Sequence, residues 1–397
     1  MEEKNYGLTI KAGFIGYIVQ AIVNNFLPLL FIQMQNEFAI PLSQITLFIT
    51  INFVIQLLVD LLSTPVIEKI GYRASMLISN ACVIVGLVLL TILPALFENT
   101  FAGILICVCV YAIGGGLQEV LVSPIVEACP SKNKEATMSL LHAFYCWGHV
   151  GVVLLSTLFF KFAGISNWKI MALLWCAVPL VDFILFAIVP IARLESETES
   201  TGSSNRIKDL FSQKIFWIIL VMMVCSGASE QAVSQWASAF AEKGLGVSKQ
   251  LGDLLGPMLF AIFMGTSRTI FGVKGHKLDL NKFMFVSVVL CVASYLIIIF
   301  VHNPIITLLG CGLTGFSVGI FWPGTFSIAA VKIKGGGTLM YALMALAGDL
   351  GCSGGPTFAG IIMSANNGVM RTGIGAAIIF PVLLGAGLLI IGRKKGK

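Results

Sequence analysis

The residues best placed to do chemistry fall in one stretch, YAIGGGLQEVLVSPIVEACPSKNKEATMSLLHAFYCWGHVG, running from Tyr111 to Gly151. Gln118 and Glu119 stand there among glycine and apolar neighbours, and a second apolar run carries His142, Tyr145, Trp147 and His149. His142 and His149 are seven residues apart, two helical turns, so both imidazoles project from nearly one face. At about 1.5 Å per residue, Glu119 lies roughly 12 Å from the helix end near Glu127, with the two histidines bracketing it at roughly 8 and 18 Å. Ionisable groups inside a hydrocarbon-length helix cost about 3 kcal/mol or more unless they face partners or water. Three of them on one helix pair point to a cavity lining rather than a lipid face. A carboxyl in such a place responds to whether a cation or water is near, which is what a proton carrier needs. It can equally be a protonated structural donor between helices.

A second group lies further along the chain. Glu230, Gln231, Gln235 and Trp236 fall in one apolar run, with residues 231 and 235 one turn apart on a shared face. Carboxylate and amides can pair with the hydroxyls of a sugar while an indole stacks on its apolar face. The plainer alternative is polar glue between helices. Asn24 and Asn25 fall opposite Glu230 and Gln231 when the two halves are aligned at an offset of 206. Asn52, Gln56 and Asp60, each four residues apart, form a stripe. With Arg268 they are expected either to gate access or to pair statically. Trp322 precedes Pro323, where a helix can kink, and Asp349 is a lone acid within an apolar run. Asp182, among purely apolar neighbours, is assigned no role.

The elements that must hold these residues follow from composition. Hydrophobic residues make up 57% of the chain and charged residues 11%, too few charges to cover a soluble surface. Runs long enough to cross a roughly 30 Å hydrocarbon core occur twelve times. Six lie at about 12–33, 43–66, 74–96, 101–127, 137–160 and 168–190. Six more lie at about 215–241, 252–273, 283–301, 304–330, 337–363 and 374–392. The expected fold is an all-α membrane protein of twelve spans in two pseudo-symmetric six-helix bundles, residues 1–190 and 214–397, joined by a linker at 191–213. The first run is too long for the core of a cleavable signal and reads as span 1.

Twenty of the 25 Lys and Arg fall on one side when the N-terminus is placed in the cytoplasm, although one of them, Arg268, is better placed within span 8; the other five are Lys161, Lys169, Lys243, Lys249 and Arg371. Both termini are therefore expected to be cytoplasmic, in a multi-pass protein of the plasma or inner membrane. The same distribution turns the net charge of +6 away from a nucleic-acid partner. The ten cysteines read as buried small hydrophobes, with no metal spacing and no nucleotide or catalytic motif beside them. An internal repeat supports the division. Gly148-His149-Val150-Gly151 matches Gly348-Asp349-Leu350-Gly351 at an offset of 200. Gly116 and Pro124 match Gly315 and Pro323 at 199, and Asp60 and Lys69 match Arg268 and Lys277 at 208.

With twelve spans, a central loop and the basic turn Glu68-Lys69-Ile70-Gly71-Tyr72-Arg73 after span 2, the sequence resembles the major facilitator superfamily over essentially its whole length. Thr64 stands where that family's loop signature usually has glycine. Three stretches resemble its fucose permease-like, sugar-transporting branch: LLHAFYCWGHVG (140–151), SGASEQAVSQWASAF (226–240) and GLTGFSVGIFWPGTFSIA (312–329). The resemblance implies sugar:proton symport, with Glu119 in the place of the helix 4 carboxylate implicated in coupling. The branch also carries a helix 1 carboxylate, where this chain offers Gln20, Asn24 and Asn25 instead.

The expected function is secondary transport of a small polar solute, a hexose-like sugar first, by alternating access with proton symport. The chain is not expected to be an enzyme. Its expected partners are the solute and membrane lipid, its expected unit is a monomer, and it needs no cofactor beyond a proton gradient. An exporter of drugs or amphipathic metabolites, a sugar uniporter and a non-transporting sensor are the alternatives.

Overall fold

The computed structural model describes residues 6–130, 134–192, 210–274, 279–333 and 337–393. Residues 193–209, most of the expected linker, lie outside them, as does Lys277. Among the described residues every regular element is helical. That follows from the solvent: with no water to receive backbone N–H and C=O groups, an apolar run of this length satisfies them within itself. Among the described residues, eleven helical stretches are long and apolar enough to cross a membrane. In the first half they are span 1 (Tyr6–Phe38), span 2 (Leu42–Leu62), span 3 (Tyr72–Leu96), span 4 (Thr100–Ala128), span 5 (Leu140–Ala163) and span 6 (Ile165–Ile188). In the second half they are span 7 (Lys214–Gly244), span 8 (Lys249–Phe271), span 9 (Leu280–Phe300), span 10 (Pro304–Ala329) and span 12 (Met370–Gly392). The 29-residue helix Gly337–Ala365 is span 11 and completes the twelve.

The chain divides into two compact units, Met1–Ser196 and Glu197–Lys397. Each uses the same set of helix pairs. In the first, span 1 packs on spans 4, 5 and 6, span 4 on spans 2 and 3, and span 3 on span 6. In the second, span 7 packs on spans 10, 11 and 12, span 10 on spans 8 and 9, and span 9 on span 12. The crossings repeat at residue level. A Cβ on Gly148 would touch Ile18 and Ala21 of span 1, whereas one on Gly348 would run into the ring of Trp322. Gly227, which stands 206 residues after Ala21, lies against the backbone of Gly348 itself. The repeat read from short sequence matches is therefore present in the packing.

Several spans are interrupted where the sequence demands it. Span 10 breaks at Gly319–Ile320 into Pro304–Val318 and Phe321–Lys332, because Pro323 supplies no N–H and its ring crowds the preceding turn. Span 7 breaks at Gln235–Trp236, passes through Ala237–Ala239 and ends in a π-helical turn at Phe240–Gly244. A second π-helical turn, Leu254–Met258, contains Pro257 of span 8. Two arginines close helix ends. Arg73 donates to the carbonyls of Phe186, Ala187 and Val189 at 2.8, 2.6 and 2.7 Å, holding the start of span 3 to the end of span 6. Arg371 donates to Ile298, Ile299 and Val301 at 2.7, 3.1 and 2.5 Å, holding the start of span 12 to the end of span 9. A cation at a helix C-terminus meets the orphan carbonyls and the negative end of the dipole.

Candidate functional site

In the first unit the polar residues are organised by one stripe of span 1: Gly16, Gln20 and Asn24, each four residues apart. Gly16 leaves room for span 4, since a Cβ there would stand 2.8 Å from Gln118 Oε1. One turn on, Gln20 Nε2–H donates to Glu119 Oε2 at 2.7 Å. Another turn on, Asn24 Oδ1 accepts from Asn52 Nδ2 at 3.1 Å and from Gln56 Nε2 at 2.8 Å, both on span 2. Asn25 Nδ2–H reaches the Tyr145 hydroxyl of span 5 at 3.4 Å as well as its own helix at Ala21. His142 meets the ring of Tyr17 edge-on at 5.2 Å, and the Tyr17 hydroxyl lies 2.8 Å from that of Ser123. His149 is buried, beside the Gly148 crossing. Asp60, at the end of the span 2 stripe, is partly buried.

Gln118 faces away from Glu119. It is buried and donates to Asn80 Oδ1 of span 3 at 3.0 Å, and Asn80 Nδ2 in turn donates to Asp182 Oδ2 of span 6 at 2.9 Å. Adjacent residues on a helix point about 100° apart, so two neighbours in sequence serve two different clusters. Sequence reasoning gave Asp182 no role, named Gln20 only as standing where a helix 1 carboxylate was expected, and did not name Asn80. A lone amide in an apolar run and a lone acid in another were the available signals, and only distance in space joins them.

In the second unit Glu230 is the hub. Its Oε2 pairs with Arg268 of span 8 at 3.3 Å, with side chains 9% and 17% exposed. Its Oε1 accepts from Gln231 Nε2 at 3.2 Å, and Gln231 Oε1 accepts from Gln235 Nε2 at 3.0 Å. The structure thus joins Arg268, expected beside the span 2 stripe, to the acid of the sugar-type cluster. Trp236 is fully buried and its indole N–H donates to the Pro356 carbonyl at 3.0 Å, bracing span 7 on span 11. Spans 7, 10 and 11 converge at Gly348, which touches Gly227 and the ring of the partly buried Trp322 and directly precedes Asp349. Asp349 is itself buried.

A further charged cluster, missed from sequence, lies between the ends of spans 7 and 8. Lys249 Nζ contacts both oxygens of the fully buried Asp253 at 3.2 and 3.0 Å, and Ser238 hydrogen-bonds to the same carboxylate. The four-residue spacing of Lys249 and Asp253 was the legible signal.

The arrangement offers two kinds of polar centre, one built from amides around a carboxyl and one from a carboxylate, a guanidinium and amides. Comparisons with known proteins bear on what such centres belong to. Among curated proteins none matches this sequence. Solved structures do match in fold. The E. coli fucose:proton symporter FucP aligns with a TM-score of 0.67 at 16% identity, covering 99% of this chain and 100% of that one. The nucleoside transporter NupG aligns with a TM-score of 0.78 at 10% identity, covering 97% and 99%. A D-xylose-proton symporter aligns with a TM-score of 0.76 at 13% identity, covering 97% and 95%. The sequence pattern of the Major Facilitator Superfamily matches residues 12–356. With its two sets of six spans, this chain belongs to the major facilitator superfamily and is an integral, multi-pass membrane transporter.

Proposed function

We propose that the protein carries a small hydroxylated solute, a hexose-like sugar first, across the cell membrane by alternating access in symport with a proton. The observation that carries this reading is the Gln20–Glu119 hydrogen bond at 2.7 Å on a partly buried carboxyl. A neutral amide can donate to the carboxylate and, turned over, accept from the acid, so it holds the side chain in either protonation state. That is what reversible proton loading requires. Asn24 with Asn52 and Gln56 supplies a second set of amides in the same unit, and His142, Tyr145 and His149 are further candidates for solute contact. In the other unit Glu230, Gln231, Gln235, Trp322 and Asp349 are the corresponding candidates. Glu230, paired with Arg268 and Gln231, is suited to accept paired hydroxyls rather than to shuttle a proton.

Both termini are placed in the cytoplasm by the distribution of Lys and Arg, with the monomer as the working unit. Proton loading and solute bias the cycle only by binding its two orientations differently. Support for the sugar class comes from the amide-rich clusters and from the fold shared with fucose and xylose symporters. The fold shared with a nucleoside transporter makes a ribose-bearing solute the second candidate. The test is uptake into proteoliposomes across a panel of hexoses, pentoses and nucleosides, with and without an inward proton gradient. The expected result is gradient-stimulated accumulation of one sugar class. Accumulation of nucleosides alone, or sugar movement indifferent to the gradient, would overturn the corresponding half of the assignment.

A further inference from the structure

Asp182 is an acid that the transport reading leaves unused. It is fully buried in span 6 among apolar residues. Asn80 Nδ2 donates to its Oδ2 at 2.9 Å and to the Met76 carbonyl at 3.2 Å, so both hydrogens of that amide are spent. Asn80 Oδ1 is occupied by Gln118 Nε2 at 3.0 Å. Two acceptors remain. Asp182 Oδ1 and Gln118 Oε1 are both buried, and among the described residues neither has a hydrogen-bond partner. Gln118 lies within hydrogen-bonding reach of the Asp182 carboxyl. Among the described residues Asp182 takes part in no ion pair.

A buried carboxylate faced only by neutral amides, with no cation, carries an uncompensated charge beside a second unsatisfied oxygen. Adding one hydrogen corrects both defects, because it removes the charge and turns one acceptor into a donor. The groups facing the acid are Gly16 of span 1, Asn80 of span 3 and Gln118 of span 4, none of them charged. Along those helices the nearest titratable side chains, apart from the partly buried Cys82 thiol of span 3, are committed elsewhere. Tyr17 contacts Ser123, Arg73 holds the carbonyls at the end of span 6, and Glu119 accepts from Gln20. On span 6 itself the Cys176 thiol contacts the carbonyls of Ile84 and Ala172.

We propose that Asp182 is a second proton-binding site in the first bundle, a neutral carboxylic acid whose O–H donates to Gln118 Oε1 and so positions Glu119, the next residue of span 4. The site takes up one proton from water and holds it, with no other bond made or broken. Its protonation stands independently of the transport reading, whereas its effect on coupling rests on the assignment of the proton step to Glu119. Gly16 and Gln20 lie one turn apart on span 1 and touch residues 118 and 119 respectively, so a shift of Gln118 is felt at the Gln20–Glu119 bond.

The test uses the full-length protein in lipid nanodiscs. Infrared spectra of Glu119→Gln and of Glu119→Gln/Asp182→Asn at neutral pH should differ by one protonated-carboxyl carbonyl band, present in the first and lost in the second. No difference in that region would overturn the proposal. Asp182→Asn copies the protonated acid, accepting from Asn80 and donating to Gln118. It should keep wild-type thermal stability and the wild-type pH profile of uptake, while Asp182→Leu shifts that profile. An Asn variant with an altered profile at unchanged melting temperature would refute the positioning role, even where the Leu variant fails to fold. Sodium-dependent thermal stabilisation that Asp182→Asn abolishes would replace the proton by a bound cation. Should Glu119→Gln leave gradient-driven accumulation intact, the coupling assignment falls while the infrared result still decides the state of Asp182.

Discussion

Asn24 in the first bundle and Glu230 in the second occupy equivalent positions, 206 residues apart, and each reaches the second helix of its own unit. Asn24 receives two amide hydrogens from Asn52 and Gln56, whereas Glu230 receives a guanidinium from Arg268. The same backbone crossing has been given neutral chemistry in one half and ionic chemistry in the other. Amide clusters tolerate a neighbouring acid in either protonation state. An arginine beside a buried carboxylate favours its charged form, while the burial itself opposes that form. The proposal of proton exchange in the first bundle and a hydroxyl-accepting acid in the second rests on this contrast.

That contrast predicts unequal costs. Arg268→Met strands a buried carboxylate and should destabilise the protein by about 3–5 kcal/mol, the usual cost of removing one partner of a buried pair. Denaturant unfolding in detergent measures it, and Glu230→Gln added to the same variant should restore part of the loss. The helix crossings should differ next. Gly227 lies against the backbone of Gly348, while its counterpart Ala21 already carries a Cβ in contact with span 5. Gly227→Ala is therefore expected to cost about 1–3 kcal/mol through overpacking. Ala21→Gly should cost about 0.5–1 kcal/mol, the ordinary helix penalty of glycine. Asn24→Ala removes a shared neutral acceptor and is expected to cost about 1 kcal/mol. If it proves as damaging as Arg268→Met, the two halves are not chemically distinct. Smallest of all, Arg73→Gln should lose about 0.3–1 kcal/mol at the end of span 6. Thermal melting of the variants side by side gives the order.

Much of the fold was legible because the hydrocarbon solvent leaves few choices. Apolar runs of bilayer length are helices, and the glycine and proline matches at near-constant offset marked the repeat later seen at Gly148 and Gly348. Site residues were legible as types and depths but not as partners. Glu119 and Gln118 are neighbours in sequence, yet one pairs with span 1 and the other with span 3, and helical periodicity alone does not say which helix stands on which side. Arg268 and Glu230 lie 38 residues apart on different spans. Nothing in their local sequence announces the pair, although two rare intramembrane charges of opposite sign invite it. Asp182 was passed over because its apolar neighbours in sequence concealed Asn80, a polar neighbour in space.

The division of labour between the bundles is tested most directly in proteoliposomes containing Glu119→Gln, with solute exchange and proton-driven accumulation measured on the same preparation. Exchange at the wild-type rate with accumulation abolished is the predicted result, since the amide keeps the contact with Gln20 and loses only the proton. Accumulation against a gradient at the wild-type level would show that the proton travels by another route.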